Sequence, residues 1–221
     1  MEEKELEREF ELERVILFSD AVFAIIITIM VLEIKLPDNL RHARPEKIAE
    51  AFIDLVPRFA AYALSFFLVS AFWIRHLKIF KVLKDYDVRL VVRNLLFLFI
   101  ISLFPFAVSI ISGTISPHNL WALDVYIGII LAGAFAQTLI LQYIVKHKQK
   151  LCFSPSTVED TLKWKAHRLN FILTPISVII VAIVNMLDQV QLVIYVVLLQ
   201  TLIIRKSALR YYPKNPKIKQ E

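Results

Sequence analysis

Long apolar segments constrain this chain more than any other feature of its sequence. Six of them are candidate membrane spans, at about residues 15–36, 48–74, 88–112, 120–145, 169–187 and 190–204. About 20 apolar residues in a helix cross a bilayer core about 30 Å thick. Hydrophobic residues make up 57% of the chain, against about 45–50% in a soluble domain. The sequence therefore predicts an all-α membrane protein with six transmembrane helices.

The scarcity of glycine and cysteine excludes several kinds of functional site. Three glycines are too few for a Gly-rich phosphate loop, or for a potassium filter built from the backbone carbonyls of a re-entrant loop. The single cysteine, Cys152, cannot form an intrachain disulfide or supply a metal cluster. We therefore expect no re-entrant filter loop, no metal site and no cofactor.

The distribution of positive charge predicts which side of the membrane each loop occupies. The net charge is +6, and Lys and Arg concentrate after the second span, after the fourth span and in the C-terminal tail. Cytoplasmic loops are enriched in these residues, so we expect a multi-pass protein of the cell membrane with both termini in the cytoplasm. The loop after the first span is the exception, with Lys35, Arg41, Arg44 and Lys47.

One membrane domain with two short ends accounts for the whole chain. Residues 1–14 form an acidic-rich N-terminal segment, residues 15–204 the six-helix domain, and residues 205–221 a basic cytoplasmic tail. The first segment lacks the basic start of a cleavable signal peptide. The basic residues border apolar spans instead of forming a soluble domain, so nucleic acid is not an expected partner.

The first span has two distinct faces. On a helical wheel of about 100° per residue, a stripe centred on Ile25 carries bulky aliphatic side chains, including Ile29 and Leu32, with Thr28 at its margin. Asp20 lies on the opposite face, with Phe23, Ile27 and Met30. From residue types alone, such an aliphatic stripe indicates lipid contact or helix packing more often than a pore.

A carboxylate inside an apolar span needs an explanation, because burying its charge is costly. Asp20 could bond to a polar residue on another helix, serve as a proton or ion relay, or lie wet at the end of the span. Intramembrane ionisable groups usually face the protein interior and pair, which favours the first interpretation. The candidate partners are Arg14, His76 and Asn94.

Three stretches carry a resemblance to a known family. The segment RVILFSD at residues 14–20 has the form R-x-x-x-F-S-D, with Arg14, Phe18, Ser19 and Asp20. It is followed by FWIRHLKIF at 72–80 and RNLLFLFIISLFPF at 93–106. In this order the stretches resemble the opening helix, the W-x-x-H segment and the third helix of the transmembrane protein 175 family, the endosomal and lysosomal potassium channels and their prokaryotic relatives. The resemblance covers roughly the first half of the chain in detail.

The resemblance implies a potassium-permeable cation channel. Prokaryotic members of the family have one six-helix repeat and assemble as homotetramers around a central pore lined by the first helix. The family's aliphatic constriction begins five residues after the signature aspartate, which here is Ile25, and continues through Ile29 and Leu32. Thr28 matches a threonine common in the family. The implied partners are further copies of the chain, potassium ions and the lipid bilayer.

The same resemblance gives the polar residues a structural role. Arg14, Ser19 and Asp20 would tie the pore helix to its neighbours, with Trp73, His76 and Asn94 as the matching set. His76 could instead make conduction sensitive to pH, and Trp73 could be an interfacial anchor. Glu33 could concentrate cations at the outer mouth or be an ordinary wet carboxylate.

Other classes of membrane protein fit the sequence less well. A secondary transporter or a proton-coupled carrier of small cations is the alternative, although inverted repeats and Gly-interrupted helices are not visible in the sequence. An enzyme is not expected, because the five histidines are scattered and no HExxH or catalytic triad can be assigned. A structural membrane scaffold has no sequence feature in its favour.

Overall fold

The fold was analysed in a computed structural model, which describes residues 2–34, 44–114, 121–187 and 192–212. All its regular elements in these ranges are helical, as predicted, apart from one isolated bridge between Leu83 and Cys152. The long helices are α1 (Glu2–Ile29), α2 (Pro45–Phe80), α3 (Val88–Ser102), α4 (Phe104–Thr114), α5 (Trp121–Lys146), α9 (Asn170–Met186) and α10 (Val193–Tyr211). Three short helices connect α5 to α9, namely α6 (Lys148–Leu151), α7 (Val158–Thr161) and α8 (Trp164–His167).

Five helical segments among the described residues are long and apolar enough to cross a membrane. They are Phe10–Glu33, Pro45–Phe80, Val88–Ser112, Trp121–Lys146 and Trp164–Met186. The helix α10 occupies the region of the sixth predicted span, but it carries Arg205, Lys206 and Arg210 in its second half and falls outside this set. Six spans therefore remain a prediction.

The predicted third span is interrupted. The helix α3 ends at Ser102 and α4 begins at Phe104, one residue before Pro105. Proline has no backbone N–H to donate to the preceding turn, so a break of the helical ladder just before it is expected. The N-terminal segment shows the opposite behaviour, because α1 runs from Glu2 into the first span and continues as a 3₁₀ turn at Met30–Glu33.

The core lies where α5 packs against α2, α3, α4 and α9. Phe97, Ile101, Phe104, Ile140 and Ile144 are completely buried there. Gly133 of α5 allows this close approach, since a Cβ atom at its position would lie 3.2 Å from the Phe72 ring and 3.3 Å from Ile101. This packing fixes the face of each neighbouring helix that points inward, including α1, which contacts α2 and α3.

Candidate functional site

The aliphatic stripe of α1 lies on the outer surface of the chain. The side chains of Ile25, Ile29 and Leu32 are 55%, 42% and 67% exposed. Thr28 is exposed beside them, and its Oγ1 lies 2.9 Å from the Ala24 carbonyl oxygen and 3.0 Å from that of Ile25. Because the Thr28 hydroxyl donates its proton to a carbonyl oxygen of its own helix, its lone pairs are free to contact a hydrogen-bond donor or a cation on the exposed face.

The opposite face of α1 is anchored in the core. Leu12, Phe23, Ile26 and Met30 are buried, and Ser19 is completely buried among them. Their spacing of three, four and seven residues places them on one side of the helix. The face that carries the stripe is therefore the one that the rest of the chain leaves open.

A chain of hydrogen bonds joins α1, α2 and α3 at the level of Ser19. The Asn94 amide nitrogen donates to Ser19 Oγ at 2.8 Å, and Ser19 Oγ donates to the Val15 carbonyl at 2.8 Å. His76 Nε2 lies 2.8 Å from Asn94 Oδ1. An amide oxygen can only accept, so His76 Nε2 carries the proton in this arrangement. The sequence named these three residues as a polar set, and the structure brings them into contact.

Aromatic rings enclose His76. Its imidazole stacks on Phe80 at 4.2 Å and on Phe97 at 5.8 Å between ring centroids. The residue is completely buried, and its Nδ1 has no hydrogen-bond partner among the described residues. The ring is thus held by stacking on its faces and by one hydrogen bond at its edge, which fixes the position of Asn94 relative to α1.

The partner of Asp20 differs from all three candidates. Trp73 Nε1 donates to Asp20 Oδ1 at 2.8 Å, whereas no hydrogen bond joins Asp20 to Arg14, His76 or Asn94 in the described part of the chain. The prediction of a partner on another helix was correct; Trp73 was not among the three named candidates, but it belongs to the matching polar set that the family resemblance implied. The sequence of α2 does not reveal how this helix is rotated about its axis. In the structure, the rotation directs the Trp73 indole, rather than the His76 imidazole, toward the Asp20 carboxylate.

Arg14 and Phe18 lie outside this network. Phe18 is 53% exposed, and both residues line an open cleft of about 370 Å³ that also borders Glu11, Tyr86 and Asn94. Tyr86 donates a hydrogen bond of 2.7 Å to Glu11 in the same region. The R-x-x-x-F-S-D motif is therefore divided: its last two residues bond within the chain, while its first and fifth residues face outward.

A second buried polar cluster lies between α5, α9 and α10, and sequence reasoning missed it. Gln200 Oε1 accepts from Ser177 Oγ at 2.7 Å, and Gln200 Nε2 donates to Thr174 at 3.2 Å and to Asn170 at 3.3 Å. Asn170 in turn donates to Thr138 Oγ1 at 2.9 Å. The spacing of Asn170, Thr174 and Ser177 on one face of α9 was the available signal.

Asp87 connects the N-terminus of α3 to α5. Its Oδ1 accepts from the Leu90 amide at 2.9 Å as the N-cap of α3, and its Oδ2 accepts from the Tyr143 hydroxyl at 2.7 Å. Burial raises the pKa of this carboxyl, but the hydrogen bonds from Tyr143 and Leu90 outweigh that effect and leave its pKa below the ordinary value. Arg93 lies over the Tyr143 ring at 4.2 Å.

None of these arrangements is a metal centre. Within the described ranges, no group of three or more His, Cys, Asp or Glu residues could hold a metal ion. The chain therefore presents an all-helical bundle with apolar spans, a bonded polar network on the inner face of α1 and an open aliphatic stripe on its outer face. These features define a polytopic membrane protein.

Comparison with known proteins shows what this chain is similar to. Residues 14–105 match the family described as the endosomal/lysosomal potassium channel TMEM175. A potassium channel of a Chryseobacterium species is 37% identical over 129 residues, which cover 58% of this chain and 62% of the relative. A potassium channel of Chamaesiphon minutus is 34% identical over 122 residues, which cover 55% and 60%. In each case the matched part of the chain spans less than two thirds of the relative's length.

Solved structures agree with this assignment over a larger part of the chain. The crystal structure of a lysosomal potassium-selective channel TMEM175 homologue from Chamaesiphon minutus superposes with a TM-score of 0.67 and 27% identity, covering 90% of this chain and 97% of that one. The potassium channel MtTMEM175 shares the fold, with a TM-score of 0.64 and 21% identity over 87% of this chain and 90% of that one. The resemblance to the TMEM175 family that the motifs predict is confirmed by these matches.

Proposed function

We propose that this chain forms a potassium-permeable cation channel, as a homotetramer in which α1 of each subunit lines a central pore. One observation carries the proposal. In a chain similar to proteins named as potassium channels, the first helix leaves Ile25, Ile29 and Leu32 exposed while its opposite face is locked into the subunit. Four copies of this stripe around a shared axis would bury it from lipid and create a narrow apolar constriction.

An aliphatic constriction acts on ions through their hydration. Isoleucine and leucine offer no oxygen that could replace bound water, so an ion passes only when the ring is wide enough for part of its hydration shell. Potassium holds its water less tightly than sodium, which favours potassium modestly. A tighter ring expels water and stops conduction, so a small rotation or splay of α1 is sufficient to gate the pore.

Thr28 and Glu33 supply the polar groups nearest to this stripe. The exposed Thr28 hydroxyl can offer its lone pairs to a cation as it passes. Glu33 follows Leu32 at the end of the 3₁₀ turn, where its negative charge would concentrate cations before the constriction. In this proposal neither group forms a fixed binding site, so conduction is not limited by release of a tightly bound ion.

The hydrogen-bonded network on the inner face sets the orientation of the stripe. Ser19, Asn94 and His76 fix α1 against α2 and α3, and Trp73 holds Asp20 one residue further on. We assign these residues a positioning role in the channel. In the cell membrane both termini would face the cytoplasm, which puts the basic ends of α2, α5 and α10 on that side.

The channel proposal is tested by potassium currents through the reconstituted protein in planar bilayers. We expect currents that follow the potassium gradient without a co-substrate, whereas slow and saturable coupled uptake would identify a carrier. Animal relatives are named as endosomal/lysosomal proton channels, for example the zebrafish protein, 24% identical over 161 residues that cover 72% of this chain and 30% of the relative. Reversal potentials measured separately in potassium and proton gradients will assign the permeant ion.

The placement of the constriction is tested by Ile25→Asn. A polar side chain in the ring should hold water, raise leak and lower the preference for potassium over sodium. Ile179→Asn is the matched control, because Ile179 is 59% exposed on α9, away from the proposed axis. Unaltered currents in a folded Ile25→Asn protein, or equal effects of the two substitutions, would contradict the placement.

A further inference from the structure

A basic cleft separates the second half of α2 from the α7–α8 segment. Its volume is about 580 Å³. Three of the side chains that line it are positively charged, namely Arg75, Lys78 and Lys163, and the half-buried His167 ring lies beside them. The cleft therefore collects like charges, which repel one another unless an anion lies between them.

Among the described residues, no acidic side chain forms an ion pair with the basic residues of this cleft. Elsewhere in the described ranges Lys148 pairs with Glu159 at 2.7 Å, and Arg8 pairs with Asp85 at 3.6 Å. No salt bridge of the described residues involves the four cleft side chains. The acid closest along the chain to Lys163 is Asp160, which is exposed, and the hydrogen bond between the two residues joins the Lys163 amide to the Asp160 carbonyl oxygen at 3.1 Å rather than their side chains. The positive charge of the cleft is thus uncompensated.

The backbone gives Lys163 an unusual conformation. With φ of 51° and ψ of 43°, it is the one non-glycine residue in the left-handed region among the described residues. A side chain in this region is disfavoured for any residue other than glycine. Lys163 lies in the turn between α7 and α8, immediately before the first residue of α8, and it lines the wall of the cleft.

Most of the remaining cleft wall is apolar and belongs to two candidate membrane spans. Ile74 is 47% exposed and lies within the segment Pro45–Phe80, while Leu141 belongs to Trp121–Lys146. Lys78 lies two residues before the end of α2, where the span leaves the hydrocarbon core. An amphipathic ligand fits such a wall, with an anionic group beside the basic side chains and a hydrocarbon chain along Ile74.

We infer that this cleft binds the phosphate of an anionic phospholipid head group, with an acyl chain of the lipid lying against Ile74. Basic clefts between spans at the cytoplasmic surface are suited to this ligand, because each nearby Lys or Arg adds attraction to an anionic head group. Free phosphate shares the anionic chemistry but lacks the acyl chain that the apolar wall accommodates. The inference concerns binding only, so it stands or falls independently of channel activity.

Native mass spectrometry of the delipidated, detergent-solubilised protein tests this site. The probes are phosphatidylglycerol, which is anionic, and phosphatidylcholine, which has no net charge. We expect Arg75→Gln/Lys163→Gln to weaken phosphatidylglycerol binding at least about tenfold. The control Lys165→Gln/Arg168→Gln removes the same charge from exposed residues outside the cleft and should change it less than about twofold. Arg75→Lys with wild-type Lys163 should retain most of the affinity.

Each outcome decides between the site and its alternatives. Equal losses in the cleft and control variants would show general surface attraction and overturn the inference, as would equal binding of the two lipids to the wild type. Displacement of phosphatidylglycerol by millimolar inorganic phosphate would assign the cleft to a free anion and overturn the lipid. Circular dichroism and gel filtration of each variant, together with retained binding in Arg75→Lys, guard against loss of the fold as the explanation.

Discussion

Two buried polar clusters hold this bundle together, and they differ in what they connect. The N-terminal cluster, formed by Ser19, Asn94 and His76, fixes the inner face of α1, whose outer face is the open aliphatic stripe. The C-terminal cluster, centred on Gln200, joins α5, α9 and α10. In both clusters, buried polar side chains form hydrogen bonds with one another instead of with water. Only the first cluster contacts the helix that we propose lines the pore.

The comparison teaches that buried polarity alone does not identify a functional site. Each cluster satisfies the general need of buried polar groups for partners. What separates them is the helix they position: a shift of α1 would move the proposed constriction, whereas a shift of α10 would not. Disruption of either cluster should therefore lower stability, but only disruption of the N-terminal cluster should also lower conduction.

The largest effect is expected for Asn94→Leu. This substitution removes the hydrogen bond that Ser19 accepts and leaves His76 Nε2 unpaired in a completely buried place, which should lower the free energy of unfolding by about 2–5 kcal/mol. Because α1 loses its support, potassium flux per folded molecule should also fall about tenfold. Thermal unfolding in detergent and flux from vesicles measure the two quantities. Normal flux in the folded variant would remove Asn94 from the positioning role.

A smaller effect is expected for Trp73→Phe. The ring remains, but the 2.8 Å hydrogen bond to Asp20 is lost, which should cost about 1.5–3 kcal/mol because the acceptor is a carboxylate. We expect fewer assembled tetramers on gel filtration and a threefold to tenfold loss of flux, roughly in proportion to the displacement of α1. Phe72→Leu, which repacks the neighbouring residue without touching Asp20, is the control. Equal changes in both variants would argue against the bond to Asp20 as the cause.

The substitution Gln200→Leu tests the other cluster. It removes three hydrogen bonds of moderate length, and the Ser and Thr partners can bond to carbonyls of their own helix instead. We expect a loss of about 1–2 kcal/mol in unfolding free energy, with potassium flux per folded molecule unchanged. Selective loss of flux without loss of stability would make the C-terminal cluster part of the conduction machinery and end the contrast drawn here.

The smallest effect is expected at Asp87, outside the spans. Its folded-state pKa is lowered, so the stability it contributes is present above its ordinary pKa of 3.8 and is lost as the pH falls through the folded-state value. Asp87→Asn should cost about 0.5–1 kcal/mol at neutral pH and should flatten the acid limb of the stability curve. Unfolding followed from pH 7 to pH 3 measures both, and identical acid limbs would contradict this role.

The sequence predicted the N-terminal cluster and missed the C-terminal one for physical reasons. Ser19, His76 and Asn94 belong to local motifs that can be read one helix at a time, whereas Gln200 acquires its partners only when α9 and α10 pack. The candidate list for Asp20 omitted its actual partner for the same reason, since the rotation of α2 selects Trp73 from the predicted polar set. The break before Pro105 was foreseeable from the missing N–H, but Pro57 and Pro175 lie within continuous helices.

Other parts of the candidate site are still predictions. The helical wheel separates Ile25 from Phe23, and the single chain exposes the first and buries the second. An exposed apolar side chain in a membrane protein faces either lipid or another subunit, and a helical period cannot distinguish these surroundings. The predicted tail 205–221 is helical as far as Tyr211, and its residues 213–221 lie outside the described ranges.

The most direct test of the central claim is silver block of Ile25→Cys during potassium current recording. Silver ions are of similar size to potassium and bind thiolates, so they should reach a pore-lining cysteine from water. Both cysteine variants are made in a Cys152→Ala background, so that the introduced cysteine is the thiol that silver can bind, even though burial already raises the pKa of the Cys152 thiol to about 11. Ile179→Cys on α9 is the control. We predict irreversible block of Ile25→Cys and persistent current in the control. Persistent current in Ile25→Cys, with silver labelling no faster than in Ile179→Cys, would show that α1 turns this face to lipid.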